Sequence, residues 1–127
     1  MSFNADSEIT VILREVGEFS NRVYSELIPD NAKLPAASWR RLDVYSTPPL
    51  SGSRGLIQSE YEIRVIANNL QGEAVVADSV CEKFTRYRGT VEATKNVLNT
   101  VVTGRQQIND LDQGLYGELI TVEIYHR

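Results

Sequence analysis

This chain of 127 residues contains one cysteine, one histidine, one methionine and one tryptophan. A single thiol, Cys81, excludes an internal disulfide and suits a reducing compartment. With His126 as the only imidazole, neither a Cys/His zinc cluster nor a pair of histidine ligands can be assembled. Basic residues are in the minority, 13 against 17 acidic, for a net charge of −4. That balance argues against a dedicated nucleic-acid binder, which needs a basic stripe to displace counterions from phosphates. Apolar runs are only a few residues long, far short of a membrane span. The first eight residues lack a basic n-region and an apolar h-region, so no signal peptide is expected.

The residues that are present describe an ordinary globular domain. Hydrophobic residues make up 42% and charged residues 24% of the chain, far from the composition of disordered segments. The length suits one domain, residues 1–127, with no room for a second core. Among the cations arginine dominates, Lys33, Lys83 and Lys95 being the only lysines. Arginine is favoured at protein–protein contacts, because its planar fork pairs with carboxylates and stacks on aromatic rings.

Periodicity places the elements. Asp6 or Ser7 caps a first helix whose Ile9, Ile12, Leu13 and Val16 form a stripe at helical spacing. Gly17 is the expected left-handed stop. A short strand at 22–25 and a loop at 26–34 follow. A second strand spans 36–46, its alternation interrupted by Arg40, Arg41 and Asp43. Residues 47–55, with two prolines and two glycines, are the most loop-like stretch. A third strand at 56–67 alternates cleanly, Tyr61, Ile63 and Val65 against Glu60, Glu62 and Arg64. Asn68, Asn69 and Gly72 turn into a second helix at 71–88, with Val76, Ala77, Val80, Cys81, Phe84 and Tyr87 as its apolar face and Glu73 outside it. Gly89 is expected to stop it. A fourth strand at 95–108 turns through 109–114 into a last strand, where Ile120, Val122 and Ile124 oppose Thr121, Glu123 and Tyr125. That strand leaves no flexible tail. The class is α+β, in the order α-β-β-β-α-β-β, with helices layered on a mostly antiparallel sheet.

Candidate chemistry is sparse. His126, near the end of a strand, lacks partners for a nucleophilic or metal site and reads as structural. Cys81 lies on an apolar helix face beside Glu82, the setting of a core cysteine rather than a reactive one. Asp110 and Asp112 fit a turn better than a calcium loop, which needs further ligands and a distal bidentate Glu. Gly52 to Gly55 matches neither a P-loop nor a dinucleotide fingerprint. Glu60, Glu62 and Arg64 share one strand face, whose mixed sign suits a solvated or inter-subunit surface. No cofactor, metal or catalytic residue is expected. The long 47–55 loop is the best candidate for a contact element.

Several segments resemble, together and in order, the tail-completion and tail-terminator family of long-tailed phages and prophages. They are the short strand with Arg22 and Tyr24, then Leu34-Pro35 leading into the strand with Trp39. After the Pro/Gly loop come the strand from Glu60 to Ile66 and an Ala- and Val-rich helix ending at Arg88-Gly89. The aromatic–basic ending from Gly114 to Arg127 completes the set. The resemblance implies a non-enzymatic subunit that assembles as a ring of six on the tail tube. Such a ring stops tube growth, joins the head–tail connector protein, and leaves DNA passing through its lumen unbound. Its expected location is the virion, at the head–tail interface, after assembly in the host cytoplasm. By position in this chain, Arg40, Arg41, Pro48, Pro49, Leu50 and Arg54 are the expected contacts to a neighbouring subunit or the tube. The competing readings are a head–tail connector or tail-tube subunit, a small ligand-binding domain or enzyme, and a bacterial adaptor.

Overall fold

The computed structural model describes residues 6–19, 22–29, 31–46, 57–86, 89–91, 95–110 and 114–126. Six strands form one sheet in the order β1-β2-β3-β6-β5-β4. They are β1 (Val23–Ser25), β2 (Ala36–Ser46), β3 (Ile57–Ala67), β4 (Gly89–Val91), β5 (Lys95–Asp110) and β6 (Leu115–His126). Only β1 and β2 run parallel; every other neighbouring pair is antiparallel. Helices α1 (Asp6–Arg14) and α2 (Leu70–Arg86) pack on one face of this sheet. The α+β class and the order of elements are as the periodicity indicates, with the short β4 added before β5.

The core forms where period 3.6 meets period 2. Ile9, Ile12 and Leu13 of α1 and Val76, Ala77, Val80 and Phe84 of α2 are buried. They meet Tyr61, Ile63 and Val65 of β3 and Ile120, Val122 and Ile124 of β6. Burial of that many large side chains, each contributing about 1.5–3 kcal/mol, is what makes the register of β3 on β6 strongly specified. Trp39 of β2 stands edge-on to Tyr61, ring centroids 5.8 Å apart, and half-covers the side of the core. Arg41 and Tyr61 both reach the Asp6 carboxylate, at 3.0 and 2.5 Å, tying α1 to the sheet.

Helix ends differ from the sequence expectation in instructive ways. Gly17 does not adopt a left-handed conformation; among the described glycines only Gly114 does, at φ 68°. Instead α1 tightens at its end, with Glu15 N–H donating to the Ile12 carbonyl and Val16 N–H to that of Leu13. Residues Gly17–Phe19 continue as a short 3₁₀ helix, which uses three-residue bonds to satisfy the last carbonyls. At the start of α2, Asn69 is the cap: its side-chain oxygen accepts from Gly72 N–H at 2.6 Å. α2 is described to Arg86 and Gly89 opens β4, residues 87–88 between them lying outside the described residues. Glu73, expected on the wet face of α2, is buried at 1% exposure.

The interruption of β2 has a structural cause. Its register to β3 shifts between Arg41 and Asp43, so Leu42 is the extra residue of a bulge. Before it, Ala37, Trp39 and Arg41 share the helix-side face with Val65, Ile63 and Tyr61. Beyond it, Val44 takes over that face and Asp43 and Tyr45 the other. β5 carries a comparable irregularity between Val102 and Gly104.

Candidate assembly surfaces

With both helices on one side, the described helices leave the opposite sheet face uncovered. Registration across three strands places Asp43 opposite Glu60, and Glu60 opposite Glu123. Three carboxylates therefore stand in a row across β2, β3 and β6, an arrangement that destabilises a lone sheet because like charges directly opposite repel. Two tyrosines attend the row. Tyr45 donates its hydroxyl to Asp43 at 3.0 Å and Tyr125 donates to Glu123 at 2.7 Å. Both phenols are pushed above their ordinary pKa, first by these hydrogen bonds to carboxylates. One turn of the ladder away, Arg40 pairs with Glu62 at 3.3 Å while Arg64 stays exposed.

At one end of this face the segment 26–29, Ala32 and Leu34 lie over the sheet. With Ser38, Arg64, Ile66 and Leu115 they line an open cleft of about 480 Å³. Leu27 beside it is 77% exposed. Glu26 and Arg64 are the charged residues in its lining. No cluster of His, Cys, Asp and Glu among the described residues is arranged to hold a metal ion.

The helix side carries the other charged group. Under α2, Arg105 of β5 donates to Glu118 of β6 and, at 3.0 Å, to Asp78 of α2. Glu73 lies beside Glu118 with its Oε1 unpartnered. Its carboxyl is held above the ordinary range, foremost by burial and then by the Glu118 charge and hydrogen bond. Arg105 is driven still more firmly to its charged form by its bond to Glu118. Cys81, half-buried against the core, is a weaker acid than usual because burial penalises the thiolate. This group ties α2 to β5 and β6, with Arg105 and Asp78 exposed at its outer side. His126 is fully buried, and its Nε2 lies 2.9 Å from Ser59 Oγ.

Of the expected contact residues, Arg40 and Arg41 lie three strand residues from the bulge or nearer, but on opposite faces, Arg40 toward Glu62 and Arg41 toward Asp6. Pro48, Pro49, Leu50 and Arg54 lie outside the described residues. Sequence reading missed Asp43 and Glu123 as partners of Glu60. The alternation of β6 was visible, but alignment of the row needs the bulge at Leu42 and the β3–β6 register.

No family model matches the chain and no curated protein matches it. Among solved structures, a chain in the virion of a native gene transfer agent particle has a similar fold. The TM-score is 0.57 at 10% identity, over 90% of this chain and 83% of that one.

Proposed function

We propose that this chain is a structural subunit of a phage or phage-like virion, and that within it the chain closes the tail tube as a ring. The observation that carries the reading is the fold shared with a chain of a gene transfer agent virion along nearly the whole length. The terminal aromatic–basic strand and the order of segments, which resemble tail-terminator proteins, support the finer role. The surfaces agree with it. The sheet face carries a row of three carboxylates and, among the described residues, no converging catalytic set, so in this reading the chain acts by geometry. An acidic row bordered by tyrosines suits a surface past which DNA slides without sticking, since repulsion of phosphates suppresses adsorption.

In this role the subunits meet head to tail, the heterologous arrangement that closes into a ring. The ring, of six in this reading, contacts the tail tube protein on one side and the head–tail connector on the other. Arg40 and Arg41, and the 47–55 loop with Pro48, Pro49, Leu50 and Arg54, are the proposed contacts. The test is tube growth in vitro. Added to polymerising tail tube protein, the chain should yield tubes of limited length with a density at one end by negative-stain electron microscopy. Tubes that grow to the length of the control would remove the terminator role. Incorporation along the tube would make the chain a tube subunit.

A further inference from the structure

Among the described residues, each edge of the sheet is only partly covered. β1 pairs with β2 from Ala37 to Trp39, and β4 with β5 from Lys95 to Val97. Beyond those three-residue caps, residues 40–46 of β2 and 101–109 of β5 have no outer ladder partner among the described residues. Long open edges are templates for another strand.

The ladder itself tells which backbone groups face outward. Ala37 N–H donates to the Arg22 carbonyl and Glu26 N–H to the Trp39 carbonyl, both across the β1 side. Since direction alternates along a strand, Arg41 points the same way. The bulge then advances the count by one, so Val44 follows. Carried through β3 and β6 by their registers, the same count turns Arg105, Gln107 and Asn109 toward the open side of β5. The two edges also run in opposite directions, because β2, β3, β6 and β5 alternate. A second copy set beside the first therefore offers its β5 antiparallel to β2.

We infer that copies of this chain join by adding the β5 edge of one, residues 101–109, to the β2 edge of the next, residues 40–46. The inference rests on the ring reading and supplies its seam. A two-fold contact of β2 with β2 would leave every β5 edge bare, whereas the head-to-tail contact satisfies both edges and repeats around a ring. The uncovered stretches lie at opposite ends of the sheet, that of β2 toward His126 and that of β5 toward Gly117. Neighbours are accordingly offset along the strands, the stagger that inclined strands acquire when a sheet closes on itself. Bulges at both edges add the local twist that such closure uses.

Proline tests the seam without touching the internal ladder, because edge strands tolerate it where the N–H faces out. Val44→Pro removes a donor from the β2 edge and Gln107→Pro one from the β5 edge. Each variant alone should sediment as a monomer at concentrations where the full chain assembles. Mixed, they should form a one-to-one dimer and nothing larger, through the intact β2 edge of Gln107→Pro and the intact β5 edge of Val44→Pro. Assembly of both variants to the parent mass would overturn the seam while leaving the ring standing. Loss of assembly in Val44→Pro alone would assign a two-fold β2 contact instead. Hydrogen exchange on the unaltered chain covers the case in which a variant fails to fold. The amides of Val44 and Gln107 should exchange at least about tenfold more slowly at assembling than at dilute concentrations. Equal exchange at both, or a parent chain that stays monomeric to near-millimolar even with preformed tail tubes, would also overturn the seam. The tube-growth assay then reports on the ring reading independently.

Discussion

Glu60 and Glu123 face each other directly across β3 and β6, in the middle of the sheet face that no helix covers. Asp43 extends the row to a third strand. A fold selected only for the stability of one copy would place opposite charges there, as it does one register step away with Arg40 and Glu62. On the proposed reading, the row reflects what the face meets in an assembled particle.

Replacing one member should relieve the repulsion. Glu60→Gln is expected to stabilise the isolated chain by about 0.2–1 kcal/mol, the usual scale for a cross-strand pair. Raising the salt concentration should shrink that gain. Chemical denaturation of both proteins at low and high salt checks this. A loss of stability in Glu60→Gln would mean that the carboxylates are held by groups on the sheet instead of repelling one another.

The Glu73 and Glu118 pair predicts a pH dependence with a definite sign. Glu73 has a higher pKa in the folded chain than an ordinary exposed glutamate, chiefly through burial. The folded state thus holds the proton more tightly than the unfolded one, so this contribution is complete at low pH. It is lost as pH rises from about the unfolded value through the raised folded value, and is then constant. Arg105 and Asp78, which face the pair from β5 and α2, modulate the shift in opposite senses. Glu73→Gln should flatten this part of the profile and raise the melting temperature at pH 8 by a few degrees, on the order of 1 kcal/mol. A Glu73→Gln profile parallel to the parent would remove Glu73 as the titrating group.

Gly117 marks a close approach in the sheet. A Cβ built there would lie 2.7 Å from Ile66 Cδ1 and 2.9 Å from the Val65 carbonyl oxygen. The isoleucine can turn away, but the backbone carbonyl cannot without disturbing the β3–β6 ladder. Gly117→Ala should cost about 1–3 kcal/mol, the range for overpacking. An unchanged melting temperature would show that the two strands are free to separate at this end.

Deletion of Pro48 to Arg54 tests the contact role proposed for the Pro/Gly loop. A folded protein that no longer limits tube length is the expected outcome, measured by circular dichroism and by electron microscopy of tubes. Normal capping would take the loop out of the interface and leave the strand edges to carry assembly.

These effects also show how far residue patterns alone could lead. The stripe of α1, the alternation of β3 and β6 and the span of β2 were legible, because each buries one face and burial enforces periodicity. Gly17 misled because a 3₁₀ tightening satisfies carbonyls as well as a left-handed glycine does. Glu73 misled because its place in the helical wheel says nothing of Glu118, which approaches from a strand distant in sequence. The acidic row and the open edges were illegible for a related reason. Both are properties of strand order and register, and a bulge of one residue at Leu42 decides which side chains share a face.

Solution mass tests the central claim most directly. Light scattering should be recorded from micromolar to near-millimolar concentration, with and without preformed tail tubes. The account predicts one discrete closed species, of about six subunits, free in solution or seated on tube ends. Open-ended growth with concentration, or a monomer that ignores tube ends at every concentration, would contradict it.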